Sequence, residues 1–295
     1  MAGGWSVKDR AMGLLTTAVI LALPGMTLAA DRSAWVAARL RDDPGWAWVA
    51  AIVLVAIAGV TLGFEKRGRW DGLLIDETNR KSLSRLQAIV WGTIVVSGIA
   101  TGLAINVARG CAEPAEGVTP PEGACTTPSW DLHYPEQFLV LVMLSAAVVI
   151  LAAVVNGANA SRTLNAKANR SAQYAGILAA QPNGQSADLV DDVVAPFRFY
   201  GVIAGKDHVD HASWNDIAKG DVGANAAYLD VARVQFLIMT LLVAGAYAVF
   251  FLREVTDPTG GVTFPAFDAG LNTLLGISAA AYLGVKSVLG IAASD

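Results

Sequence analysis

The side chains best suited to chemistry crowd into one stretch, Asp207-His208-Val209-Asp210-His211. Imidazole and carboxylate together suit zinc or another transition metal, and His208 and His211 share a face if the stretch is helical. The His-Glu-x-x-His spacing of a zinc hydrolase is absent. A solvated polar loop is therefore the plainer reading, and His208 and His211 stay weak metal candidates. Just upstream, Gly201-Val202-Ile203-Ala204-Gly205-Lys206-Asp207 imitates a phosphate loop. It fails because that loop needs four residues between its glycines and a hydroxyl after its lysine, whereas three residues and an aspartate stand here. No nucleophile has a base at a usable spacing, so the chain reads as a non-enzyme with no assigned catalytic residue, metal or cofactor.

Two glutamines in otherwise apolar surroundings are more distinctive. Gln87 closes the phrase Ser82-Leu83-Ser84-Arg85-Leu86-Gln87, and Gln235 closes the similar Asp230-Val231-Ala232-Arg233-Val234-Gln235. In each, Ser82 or Asp230 is placed to cap a helix start by accepting a backbone N–H. Arg85 or Arg233 then follows one turn later at headgroup level. Gln87 and Gln235 fall in the first buried turn, where an amide bonds across to a neighbouring helix or lines a path for an uncharged solute. Trp70-Asp71 and Trp214-Asn215-Asp216 lie upstream, so Trp70 and Trp214 join Arg85 and Arg233 as expected interfacial anchors.

The elements that must carry these residues follow from composition. With 54% hydrophobic and 16% charged residues among 295, the chain is too apolar for one soluble domain. A net charge of −4 offers nucleic acid no basic footprint. Five uncharged runs, 47–64, 86–108, 138–155, 234–252 and 269–285, match the roughly 17 to 25 residues that a helix needs to cross a bilayer. A sixth run, 11–30, is interrupted by Pro24 and Gly25 and is either a first span or a cleaved signal peptide. The expected fold is an all-α integral membrane protein with five or six transmembrane helices.

Beyond the paired hexapeptides, Leu144-Ser145-Ala146-Ala147 and Ile277-Ser278-Ala279-Ala280 also correspond. The last four spans are therefore expected to form a parallel tandem repeat of two helical hairpins. The divisions implied are 1–30 (signal peptide or first span), 31–64 (interfacial segment and span), 65–156 (first hairpin), 157–230 (cytoplasmic appendage) and 231–295 (second hairpin). Pro182-Asn183-Gly184 marks a turn within the appendage. Trp35, Val36 and Leu40, flanked by arginines and stopped by Pro44, suggest a short interfacial helix.

Lys66, Arg67, Arg69, Arg80, Lys81 and Arg85 crowd the connection before the 86–108 run, while Arg109 stands alone among five acids in the next one. Retention of positive charge on the inner side then puts the first connection and the C-terminus in the cytoplasm of a bacterial-type inner membrane. Arg32, Arg39 and Arg41 are the exception. Cys111 and Cys125 share the outer loop, where a disulfide persists, and closing so short a loop is worth about 3 kcal/mol in the chain-entropy model.

Small residues mark helix contacts: Gly98 and Gly102 on one span, Ala244 and Ala248 on another, and Gly276, Ala280 and Gly284 on the last. These faces are expected to look inward or toward another subunit. No Asp, Glu or His stands mid-span, and Lys286 is near enough to a span end to snorkel, which disfavours proton-coupled transport. The function expected is an anchor, assembly or regulatory subunit. Its partners would be the lipid bilayer and a protein or second copy engaged through the small-residue faces and the cytoplasmic segment. The alternative is a facilitator for a small uncharged solute, with Gln87 and Gln235 on one path.

Overall fold

The computed structural model describes residues 7–110, 132–162, 198–222, 225–226, 228–257, 261–266 and 268–292. Among these, the helices are α1 (Val7–Arg32), α2 (Ala34–Asp42), α3 (Pro44–Arg67), α4 (Leu83–Ala108), α5 (Glu136–Ala160), α6 (Val231–Thr256) and α7 (Ala269–Ala292). One antiparallel hairpin, β1 (Arg198–Tyr200) with β2 (Ile203–Gly205), precedes α6. Helices α3 to α7 are each 24 to 26 residues long and apolar enough to cross a membrane. At about 1.5 Å per residue they exceed the hydrocarbon thickness of a bilayer. The chain is an all-α membrane protein.

Local signals set the helix ends. Ser33 caps α2 by accepting the Val36 N–H at 3.4 Å. Pro44 opens α3, where a missing N–H costs nothing, and Gly68 closes it in the left-handed region at φ 70°. Pro24 and Gly25 do not interrupt the first run as the sequence suggested. Helix α1 continues through them and packs against α3, and a proline in an apolar helix is tolerated where neighbouring groups re-satisfy the freed carbonyl.

The chain divides into two compact units. The first comprises residues 1–72, 89–142 and 243–272, and the second 73–88, 143–242 and 273–295. Each takes part of α4, α5, α6 and α7.

An aromatic core fills the first unit. Phe264 lies 4.6 Å from Phe138 and 5.1 Å from Phe251, ring centre to ring centre, and Phe251 in turn meets Trp48 edge-on at 5.1 Å. Gly98 makes room for this group, since a Cβ there would stand 3.0 Å from Phe264 Cε1. Polar ties pin the same unit. Trp48 Nε1 donates to Ser97 Oγ at 3.0 Å, Asn106 Oδ1 accepts the Val262 N–H at 2.8 Å, and Asn272 Nδ2 donates to the Gln137 carbonyl at 3.0 Å. Gly102 receives Leu132 and Val262. The Gly98 and Gly102 stripe is thus filled from within the molecule.

The stripe on α7 behaves differently from the inward reading. Ala280 and Gly284 are exposed, and a Cβ added at Gly276 or Gly284 would touch nothing within 4 Å. The buried face of that helix carries Leu275, Ala279, Tyr282 and Lys286 instead. The physical reason is that Tyr282 and Lys286 have polar partners to reach, and a helix has only one rotation about its axis that buries both. Cys111 and Cys125 lie outside the described residues, so the bridge expected between them draws no support from the structure. Helix α5 ends at Ala160, and Pro182-Asn183-Gly184 also lies outside them.

Candidate functional site

The second unit gathers seven charged side chains at the ends of its helices. It is assembled by short turns whose sequences dictate their shape. Asp76 Oδ1 accepts the N–H groups of Thr78 (2.9 Å) and Arg80 (3.2 Å), an Asx-type turn completed by Asn79 in the left-handed region at φ 57°. Asn79 Nδ2 donates to the Lys206 carbonyl at 2.9 Å, and the Lys206 N–H to the Thr78 carbonyl at 2.8 Å. This turn aims Arg80 inward, where it is 3% exposed.

The hairpin β1–β2 turns at Gly201, in the left-handed region at φ 61°. A Cβ there would collide with the carbonyls of Asn159 and Ala160, so only glycine fits. The following Val202 N–H bonds the Asn159 carbonyl at 3.1 Å, an acceptor near the end of α5 that also takes the Arg162 N–H at 3.3 Å. The phosphate-loop imitation is therefore a docked hairpin. Downstream, Ser213 and Asp216 form a reciprocal capping box, and Asp230 caps α6 by accepting the N–H groups of Ala232 (3.0 Å) and Arg233 (3.3 Å).

These turns bring the charges together. Asp216 lies 2.8 Å from Lys206 Nζ and 3.9 Å from Arg80 Nε. Asp221 contacts Arg233 Nη2 and lies 2.6 Å from Lys286 Nζ. Arg233 Nε is also 3.7 Å from Asp230. Tyr282 completes the second group, with Arg233 Cζ 5.6 Å and Lys286 Nζ 5.7 Å from its ring centre. The two groups meet at Ala204, whose carbonyl accepts from Arg80 Nη1 at 3.3 Å and whose N–H donates to the Asp221 carbonyl at 2.8 Å. Four cations face three carboxylates, leaving one positive charge in excess, and Arg80 Nη2 is buried without a hydrogen-bond partner.

The electrostatics follow from this geometry. Burial by itself would raise the Asp221 carboxyl, but Arg233 and Lys286 override it and hold the group well below the usual carboxylate range. Burial pushes the Lys206 ammonium down against the opposing pull of Asp216. Arg80 is likewise lowered by burial, opposed by Asp216 and Asp221. Every carboxylate is committed to a cation. The cluster has the form of an ionic lock that ties residues 73–82 and 198–230 to α6 and α7.

The residues singled out by sequence fare unevenly. Gln87 is buried and donates to Thr240 Oγ1 at 2.7 Å, and Thr240 passes a hydrogen bond to the Phe236 carbonyl at 2.8 Å. Gln235 is exposed, whereas Gln87 is committed to Thr240. Arg233 is 3% exposed and Lys286 5%: neither is an interfacial anchor or a snorkelling lysine, because each has a buried carboxylate to neutralise it. Arg85 is half-buried, donating to the Ile75 carbonyl at 2.7 Å and to Glu77. Trp70 and Trp214 are exposed, and Lys81 Nζ stands 3.9 Å over the Trp214 ring. His208 and His211 are both exposed with rings 6.4 Å apart, and no group of three potential metal ligands occurs among the described residues.

Sequence reasoning noted Asp216 only as the acid behind Trp214, and gave no role to Asp221 or Asn159. The last, 1% exposed on α5, donates to the Lys286 carbonyl at 3.4 Å and accepts from Arg162 at 2.7 Å. The available signal was Lys286 itself, since a cation within an apolar helix requires an acid nearby. The chain matches no protein-family model, no curated protein and no solved structure.

Proposed function

We propose that this chain is a non-enzymatic membrane protein, of bacterial inner-membrane type, that serves as an anchor, assembly or regulatory subunit. One observation carries the reading: four buried polar side chains inside the helices are engaged in ties between elements. Gln87 holds Thr240, Ser97 holds Trp48, Asn106 holds Val262 and Asn272 holds Gln137. The charges are engaged with one another in the same way. The facilitator alternative needed Gln87 and Gln235 on one path, and the exposure of Gln235 gives it no support.

The concentration of Lys and Arg between residues 65 and 85 supports a cytoplasmic position for the ionic cluster and for the C-terminus. A Cys111–Cys125 bridge on the opposite side belongs to the same reading. The face of Gly276, Ala280 and Gly284, half-buried at Gly276 and exposed at the other two, supports a second helix as partner, because small residues let backbones approach closely. The test is purification in mild detergent with the mass of the protein particle measured. A stoichiometric partner or a homo-oligomer is expected, and a solitary monomer overturns the proposal. Orientation is read separately with a membrane-impermeant thiol label on intact cells. It should miss a cysteine introduced at Lys66 and reach one introduced at Glu122, and the reverse pattern inverts the topology.

A further inference from the structure

A cleft of about 520 Å3 opens in the second unit, bounded by the last turns of α5, residues 76–85 and the hairpin. That volume is in the ordinary range for a small-ligand site. One wall is Val149, Ala153 and Gly157, spaced four apart along one face of a membrane-spanning helix. A Cβ at Gly157 would meet nothing within 4 Å, so this wall is apolar and open. At about 1.5 Å per residue, Val149 stands about 16 Å from the end of α5 at Ala160, and Asn156 about 6 Å from it. The cleft therefore runs from hydrocarbon depth toward the headgroup level, the interval an amphiphile occupies.

The polar groups still unspent decide what such a molecule must offer. The charged side chains of the lining, among the described residues, are engaged already. Arg85 donates to the Ile75 carbonyl at 2.7 Å and to Glu77. Asp76 Oδ1 accepts from the Thr78 hydroxyl at 2.6 Å and from the Thr78 and Arg80 N–H groups. An uncharged ligand leaves all of these bonds in place and asks nothing of the balance of charge around the cleft. The unspent groups are themselves neutral. Asn156 Oδ1 is shielded from water and, among the described residues, accepts no hydrogen bond. A buried acceptor left in this state costs stability until a donor reaches it. Ser82 Oγ and Ser84 Oγ share one hydrogen bond at 2.9 Å, which leaves one of their two hydroxyl protons to donate. A hydroxyl-bearing ligand answers both, with a hydrogen for the amide oxygen and oxygens for the serine proton.

We propose that this cleft binds one neutral, hydroxyl-bearing lipid of the diacylglycerol class. Its O–H is donated to Asn156 Oδ1, an oxygen of its glycerol backbone accepts from the Ser82–Ser84 pair, and an acyl chain runs along Val149, Ala153 and Gly157. This needs only the membrane-spanning fold and is independent of the assembly role proposed above.

The experiment uses the full chain in an amine-oxide detergent, which carries no hydroxyl to compete. It is incubated separately with dioleoylglycerol, the methyl ether of that lipid's hydroxyl, phosphatidylethanolamine, phosphatidylglycerol and water-soluble glycerol. Retained ligand is counted by native mass spectrometry. One dioleoylglycerol per chain is expected, held about tenfold better than the methyl ether, which cannot donate to Asn156. It should also be held better than either phospholipid. Asn156→Leu keeps the size of the side chain but removes the acceptor, and should bring the alcohol and the ether to equal retention. Gly157→Leu fills the open wall and should lower retention of dioleoylglycerol about tenfold. A thermal melt shows that each variant is folded. Equal retention of alcohol and ether by the wild-type chain would leave Asn156 to a water molecule and overturns the proposal. A phospholipid held better than dioleoylglycerol, or no lipid retained, overturns it as well. So does an unchanged preference in Asn156→Leu or unchanged retention in Gly157→Leu. Glycerol bound as well as the lipid would show a soluble-ligand site and likewise overturn it.

Discussion

Replacing Asp221 by asparagine tests the ionic lock at its centre. The carboxylate contacts Arg233 and stands 2.6 Å from Lys286 Nζ, while the side chains of Arg233 and Lys286 are 4% and 5% exposed. Removing one partner of a buried ion pair costs about 3–5 kcal/mol, because the remaining charge is left uncompensated. Two features place Asp221→Asn at the lower end. The Asp221 side chain is 17% exposed, and Arg233 keeps Asp230 at 3.7 Å. Lys286 keeps no carboxylate among the described residues, so a loss of about 3 kcal/mol is expected. At about 2 °C per kcal/mol for a chain of this size, the thermal midpoint should fall by roughly 6 °C. The assay is thermal unfolding in detergent, followed by size-exclusion chromatography of the surviving fold. Asp221→Asn combined with Lys286→Met should recover much of the loss, since the orphaned ammonium is gone. A midpoint within about 1 °C of wild type for the single variant, or a double variant no better than the single, refutes the lock.

The same carboxylate gives the lock an acid limit. Its folded-state value lies below the ordinary carboxylate range, so as pH falls the unfolded chain takes up the proton first. The stabilisation is complete above an unfolded value of about 4 and is lost progressively as pH drops below it. The acid limb of the stability curve should therefore flatten in Asp221→Asn.

Three further outcomes follow from the packing. Gly98→Val pushes a side chain against Phe264, only 3.0 Å from the nearest position of its Cβ, and should cost about 1–3 kcal/mol. By contrast Gly284→Val enters open space and should leave monomer stability within about 0.5 kcal/mol, while disrupting any oligomer seated on that face. Gln87→Leu removes the donor to Thr240 and should cost about 1 kcal/mol in thermal unfolding, whereas the same change at exposed Gln235 should be silent. Trp48→Phe keeps the ring against Phe251 but loses the bond to Ser97, and a loss of about 1 kcal/mol is expected by chemical denaturation.

Much of this molecule was legible before folding. The apolar runs located α3 to α7, since a bilayer imposes a length and an absence of charge that any sequence reader can see. Asp230 marked a helix start by local hydrogen bonding, while Pro44, read as the stop of the interfacial helix, also opens α3. The likeness between the two hexapeptides misled in detail: Arg85 and Arg233 occupy the same place in their phrases, yet one reaches an exposed glutamate and the other is buried among aspartates. The histidine cluster, the most conspicuous chemistry in one dimension, is exposed in three.

Which residues lie in a membrane was decided by composition, because hydropathy is a local property summed along the chain. Which way each helix turns was decided only by tertiary contact. Lys286 and Arg233 are turned inward by Asp221, a residue on a loop that no periodicity announces, and with that rotation the small-residue stripe of α7 is left outside. A charge buried beside hydrocarbon must find its opposite, and that partner stands in a different segment of the chain.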